Sequence, residues 1–301
     1  MTVTSENIVQ PYLIDSGMSR GQAVRLTSVL DTIIGQHGYP ESVGKFLSEA
    51  AVLTALLASS VKYDGVFSLQ IQGDGAISML VIDLTATGQM RGYARFDEAA
   101  LKQAEQTPDE QSNPVSHYFG NGTLAFMTEH DGTSYQGVVA LEKASLTDCV
   151  LEYFRQSEQI DTEIRLATAS PDDKHGWIAG AALLQKMPFD AKTAERLKKE
   201  EADDLWNTAT VLLKSLQDSE ILDTTLSLEK MLFRLFHLND LHFFIPKQIE
   251  FGCRCSKEKV IEMLKRFSPQ ERKEMPVDGV IKIDCRFCGK SYTVTLQDLG
   301  E

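Results

Sequence analysis

The sequence predicts an α+β chain in three parts, and three observations carry that prediction. Short runs of alternating apolar and polar residues, divided by turns rich in Gly and Asp, are mixed with helical stretches through residues 1–180. A charge-dense stretch of helical composition fills 181–240. The remainder, 241–301, holds four of the five cysteines, in two tight pairs. The expected architecture is an N-terminal mixed sheet-and-helix core domain (1–180), a charged helical linker (181–240) and a small C-terminal metal-binding domain (241–301).

The first strong element is "ESVGKFLSEAAVLTALLASSVK" (41–62), with Ser and Glu near its start and strong helix formers throughout, which reads as a buried helix. Three alternating runs follow, "GVFSLQIQ", "AISMLVIDLT" and "QMRGYARF", divided by "GDG" and "ATG". Gly and Asp supply the turn conformations, so these runs form an antiparallel meander. The polar, Pro-containing segment "LKQAEQTPDEQSNPV" (101–115) is expected to be an exposed loop. "TLAFMTEH" and "SYQGVVALE" form a second hairpin, closed by "DGT", and "SLTDCVLEYFRQSEQ" opens with capping residues and reads as a helix. "TEIRLATAS" reads as a strand; "WIAGAALLQKM" reads as a strand or, being Ala-rich, as a helix.

In the linker, "DAKTAERLKKEEADDLWNTATVLLKSLQDSE" (190–220) is helical, but Leu197, Leu205, Trp206, Val211, Leu212 and Leu213 give it only a thin, broken apolar stripe. Weak docking follows if that stripe is all that holds it; an ordinary well-docked helix is the alternative. "SLEKMLFRLFHL" (227–238) is a second helix with a richer apolar face, and "LHFFIPKQIEFGC" runs extended into the cysteines.

Cys253 and Cys255 stand in "CRC", and Cys285 and Cys288 in "CRFC", with 29 residues between the pairs. Thiolates bind zinc tightly, and a tetrahedral ion is satisfied by four of them, so one zinc per chain is expected on these residues. Residues i and i+2 of an extended segment share a face, so both sulfurs of "CRC" reach one ion. Gly289 directly after the second pair suits the left-handed conformation of a zinc knuckle. Arg254, Lys257, Arg286 and Lys290 flank the sulfurs and favour their ionised form. Between the pairs, "SKEKVIEMLKRFSPQERKEM" is expected as one helix with Val260, Met263, Leu264 and Phe267 inward, and "GVIKIDC" and "KSYTVTL" as a hairpin. A disulfide-only role is the alternative to zinc. With zinc, the site is either purely structural or a switch. Each pair can close on itself when oxidised, and so small a segment draws roughly 10–16 kcal/mol of its folding energy from the metal.

Composition narrows the field. A hydrophobic share of 43% and a charged share of 24% belong to a soluble globular protein. The longest apolar runs, such as "AAVLTALLASSV", are too short to span a bilayer, and no secretory signal opens the chain. An odd cysteine count in a long chain places the protein in a reducing cytoplasm. Net charge is −13, of which the last segment, 251–301, contributes about +2, leaving an acidic body that repels nucleic acid. The acidity also serves plain solubility.

Several segments resemble the redox-regulated 33 kDa heat-shock chaperones, ATP-independent holdases of the bacterial cytoplasm. These are "FSLQIQGDGAISMLVID", "GQMRGYAR", "YQGVVALE", "YFRQSEQI", "LFRLFH" and the "CRC" and "CRFCGK" pairs. The resemblance covers nearly the whole chain. It implies that Cys253, Cys255, Cys285 and Cys288 bind zinc when reduced, and that they form Cys253–Cys255 and Cys285–Cys288 disulfides when oxidised. It further implies that the oxidised protein loses zinc, unfolds its switch domain and linker, forms a homodimer and holds unfolding client proteins.

The sequence argues against two other function classes. A zinc hydrolase or deaminase needs an open coordination position, which four cysteines do not leave, and a deaminase needs a His-x-Glu partner that is missing. A zinc-ribbon nucleic-acid binder is opposed by the charge distribution. Elsewhere, Cys149 reads as a core residue, and His237 and His242 as packing or surface residues. "GDGAIS" lacks the Gly-Lys-Ser/Thr ending of a phosphate loop.

Overall fold

The structure is a computed structural model that describes residues 6–106, 113–189, 197–277 and 279–300. The chain opens with a hairpin, β1 (Ile8–Ile14) and β2 (Ser19–Leu26), followed by helices α1 (Ser28–Gly35) and α2 (Glu41–Ser60). The meander β3 (Asp64–Gly73), β4 (Ile77–Thr85) and β5 (Gln89–Phe96) is antiparallel throughout, as its alternation predicts. Helices α3 (Glu98–Gln106) and α4 (Pro114–Phe119) precede the hairpin β6 (Gly122–His130) and β7 (Thr133–Ala140), in which β6 pairs with β3. Helix α5 (Leu146–Tyr153) is capped by Ser145 and widens into one π turn, Phe154–Glu158. Strands β8 (Thr162–Ala169) and β9 (Ile178–Lys186) then pair with each other, and β9 pairs with β2.

Among the described residues, three helices follow: α6 (Lys199–Lys214), α7 (Asp218–Leu222) and α8 (Leu228–Phe236). Short strands β10 (His242–Phe243) and β11 (Lys247–Gln248) both pair antiparallel with β1. Strand β12 (Glu250–Phe251) pairs parallel with β5. The chain thus crosses from the edge of one six-stranded sheet to the edge of the other just before Cys253. It ends with α9 (Lys257–Leu264), α10 (Pro269–Glu274), the hairpin β13 (Ile281–Asp284) and β14 (Ser291–Val294), and α11 (Leu296–Leu299).

Helix α2 lies against both sheets, and 14 of its 20 residues are buried, which explains why it is apolar nearly all round. By length and composition alone it would cross a membrane, at a mean hydropathy of 1.3, but 78% of that window is buried inside the molecule. Strand β9 is the Ala-rich segment whose sequence allowed strand or helix. It is a strand covered on both faces: Ala179, Ala181 and Leu183 join the core around α2, whereas Ala182 and Leu184 join a second core beneath the linker. In that second core Leu213, Leu216, Ile221, Met231 and Phe236 lie on Ile8, Tyr12 and Ile14. Gly180 permits this approach, since a Cβ there would stand 2.8 Å from the Ile221 side chain.

Two expectations are corrected. Of the expected loop, 101–115, residues 101–106 belong to helix α3, with Leu101 buried as its anchor, and 114–115 begin α4; 107–112 lie outside the described residues. The single helix expected between the cysteine pairs is two helices, because Ser268 caps a new one with Pro269 in its first turn. Val260 and Leu264 point inward as expected, but Met263 and Phe267 are 40% and 41% exposed. Of the charged stretch 190–220, positions 190–196 lie outside the described residues. Its apolar stripe is short: Ala202, Ala209 and Leu213 are buried on α6, and Val211 is 67% exposed.

Candidate metal centre

The four cysteines come together. Strand β12 delivers the first pair: the Gly252 amide bonds to the Met90 carbonyl at 2.9 Å, and Cys253 follows directly. Ser256 then caps α9, turning the chain away immediately after Cys255. The second pair sits on the turn between β13 and β14. There the Gly289 amide bonds to the Cys285 carbonyl at 2.8 Å, and Gly289 takes φ 66°, the left-handed conformation expected of it.

All four Sγ atoms lie within 4.8 Å of one another. The short contacts run across the pairs, Cys253 to Cys285 at 3.6 Å and Cys255 to Cys288 at 3.4 Å. Every cysteine is a free thiol. Four ligands about 2.3 Å from a tetrahedral ion stand about 3.8 Å apart, so these sulfurs fit zinc with only small movements. The cluster could bind a metal such as zinc. Behind it is a small core of Val260, Leu264, Ile281, Tyr292, Val294 and Leu299.

The electrostatics favour a cation. Burial raises the Cys255 thiol, but the Tyr292 hydroxyl, which donates to it at 3.0 Å, and the neighbouring sulfurs outweigh burial and bring it down to about 7. Burial and the adjacent sulfurs push Cys288 the other way, up to about 12, and burial also raises Cys285. One thiol ionises readily and the next resists, as expected where negative charges crowd without a counter-ion. A divalent cation supplies that counter-charge.

The core contributes residues that the sequence reading did not single out. Arg91 and Tyr93 of β5 and Asp83 of β4 face the cluster: Arg91 Nη1 is 3.9 Å from Cys253 Sγ, Arg286 donates to Tyr93 at 3.3 Å, and Arg254 pairs with Asp83 at 2.8 Å. Nothing in "QMRGYARF" marks Arg91, the first of its two arginines, as facing a site so far along the chain. The fifth cysteine, Cys149, is fully buried in the main core, as its sequence context predicts, and burial raises its thiol. His237 and His242 are exposed and lie outside the cluster. Another group of ligand-type side chains, Asp64, His130 and Asp131, is exposed.

A family model described as Hsp33 protein matches residues 7–295. The chain belongs to the Hsp33 family. It is 32% identical over 295 residues to the 33 kDa chaperonin of Caulobacter vibrioides, covering 95% of this chain and 94% of that one. It is 34% identical over 292 residues to the 33 kDa chaperonin of Escherichia coli strain K12, covering 96% and 92%. The crystal structure of the Thermotoga maritima Hsp33 homologue has the same fold, with a TM-score of 0.77 at 20% identity, covering 98% of this chain and 96% of that one. Hsp33 is a chaperone family, not an enzyme family. The sequence-based resemblance and the α+β class both hold, and the four-cysteine cluster is compatible with a redox switch.

Proposed function

We propose that this chain is an oxidation-activated, ATP-independent holdase of the cytoplasm. Reduced, it is inactive, with Cys253, Cys255, Cys285 and Cys288 holding one zinc. The observation that carries the reading is the cluster of four cysteine sulfurs, seated where the chain leaves the core sheets, in an Hsp33-family protein. Bound zinc supplies charge neutralisation and a cross-link for a segment whose own core has six buried hydrophobic residues.

On oxidation the sulfurs form Cys253–Cys255 and Cys285–Cys288 disulfides. Each thiolate pair gives two electrons to a peroxide, which takes up two protons and becomes water. The ligands for the metal are then lost, and the switch region, 241–301, unfolds. Strands β10 to β12 leave the core sheets with it. Next the helices of the linker region (181–240), α6 to α8, undock from the first sheet and bare Ile8, Tyr12, Ile14, and Ala182 and Leu184 of β9. Apolar surface of this kind binds unfolding client proteins and a second copy of the chain, so a homodimer accompanies activity. The core region, 1–180, stays folded. Neither nucleic acid nor membrane is a partner.

Aggregation of a thermally unfolding client, followed by light scattering without ATP, tests the reading. Zinc-free oxidised protein is expected to suppress scattering, and reduced zinc-loaded protein is not. Equal behaviour of the two forms would overturn the proposal.

A further inference from the structure

One guanidinium of the core touches both halves of the cysteine cluster. Arg91 Nη1 is 3.9 Å from Cys253 Sγ in the first pair. The same guanidinium carbon lies 3.8 Å from the ring centroid of Phe287, inside the second pair. Its Nε and Nη2 donate to Asp83 Oδ2 at 2.9 and 2.7 Å. That oxygen also accepts from Arg254 Nη2 at 2.8 Å, and Arg254 is the residue between Cys253 and Cys255. The Asp83 and Arg91 side chains are only 9% and 15% exposed, so solvent screens this contact little.

The charges at the contact favour one state of the sulfurs. Arg91 and Arg254 against Asp83 leave one surplus positive charge, and Arg286 and Lys290 add positive charge at exposed positions beside the sulfurs. Four thiolates around one divalent cation carry about −2 and offset this positive charge. Two disulfides carry no charge, and Arg91 and Arg254, 15% and 33% exposed, then have only the one Asp83 carboxylate between them, which is unfavourable.

We propose that Arg91, oriented by Asp83, is the residue through which the core reads the charge of the cysteine cluster: it docks the metal-thiolate form and rejects the disulfide form. This coupling rests on the oxidation-switch reading above. It deepens that reading by naming how a change at the sulfurs is felt by the meander. Arg91 is a positioning residue, and Arg254 shares its load on the same carboxylate.

The test uses full-length, zinc-loaded protein: wild type, Arg91→Met and Arg91→Lys. Two rates are read, hydrogen exchange at the Gly252 amide and zinc transfer to a colorimetric chelator. Arg91→Met is expected to take up one zinc but to speed both rates roughly tenfold, as for loss of a partly buried charge contact. Arg91→Lys keeps the charge and should fall between. Arg254→Gln, at a more exposed position, should shift both rates in the same direction, and carries the test if Arg91→Met does not fold. Wild-type rates in zinc-loaded Arg91→Met or, failing that variant, in Arg254→Gln overturn the proposal. An Arg91→Lys protein as impaired as Arg91→Met also overturns it, because charge is then not what the core reads. A wild-type protein that binds no zinc overturns the metal reading and this proposal together, which separates the two failures.

Discussion

Arg25 Nε donates to the Ile221 carbonyl across 2.8 Å, tying strand β2 to the linker 196 positions further along the chain. The same fully buried guanidinium donates to the Leu226 carbonyl at 2.5 Å and the Glu220 carbonyl at 3.0 Å. Burial lowers its pKa to about 10, still far above neutrality, so it stays charged. Three charge-assisted bonds make it a fastener of the linker, supplementing the short apolar stripe of α6. Arg25→Met should weaken linker docking by roughly 3 kcal/mol. Limited proteolysis of reduced protein should then show earlier cleavage within 199–226, with partial suppression of client aggregation before any oxidant is added.

Leu213→Ala should act in the same direction. Leu213 is fully buried against the first sheet, and truncation there costs about 2–5 kcal/mol. Val211, at 67% exposure on the same helix, is the control: Val211→Ala should leave proteolysis and reduced-state activity unchanged.

Glu49 makes stability pH-dependent. Burial pushes its carboxyl up to about 7, from an ordinary value of 4.5. A raised acid is penalised when ionised, so stability is lost as pH rises from 4.5 through 7 and stays lower above it. Glu49→Gln should raise the melting temperature at pH 8, by an amount corresponding to about 2 kcal/mol. It should change little at pH 5, as scanning calorimetry of the reduced protein would show.

Removing the metal from reduced protein should release the cluster region while sparing the core. A strong chelator is expected to abolish amide protection across 253–299 and to leave α2 and the meander protected, because neither the core around α2 nor the one beneath the linker includes that region. Native mass spectrometry should count one zinc per chain before chelation and none in a Cys253→Ser/Cys255→Ser double variant.

Peptide mapping of the oxidised protein should recover Cys253 joined to Cys255 and Cys285 joined to Cys288. The reduced cluster sharpens this test, because its short contacts, 3.6 and 3.4 Å, run between the pairs instead. Local closure wins only if the segment has freedom to move as it oxidises. Dominant Cys253–Cys285 or Cys255–Cys288 links would contradict the expected pairing. Cys149→Ala should leave switching intact, since that thiol is fully buried in the main core.

Local signals made much of this protein legible. The length and apolarity of 41–62, the alternation of 65–96 and the turn "DGT" specify α2, the three strands of the meander and the β6–β7 hairpin with no help from distant residues. The cysteine site is of the same kind, because its ligand spacing is written within about forty residues and thiolate chemistry does the rest. Other features depend on partners far away. Strand β9 shows no alternation because α2 covers one face and the linker the other, and a strand buried on both sides looks like any apolar run. Strand β2 pairs with β9, from Ser19 opposite Lys186 to Leu26 opposite Ala179, a distant partner that no local signal marks. Ser268 and Pro269 break the last helical stretch by a cap that periodicity does not show. Arg25, Asp83 and Arg91 are ordinary charged residues in the sequence. Only the tertiary structure gives Arg25 three linker carbonyls and sets Arg91 between Asp83 and the sulfurs, because a charge acquires its role from the groups that folding places around it.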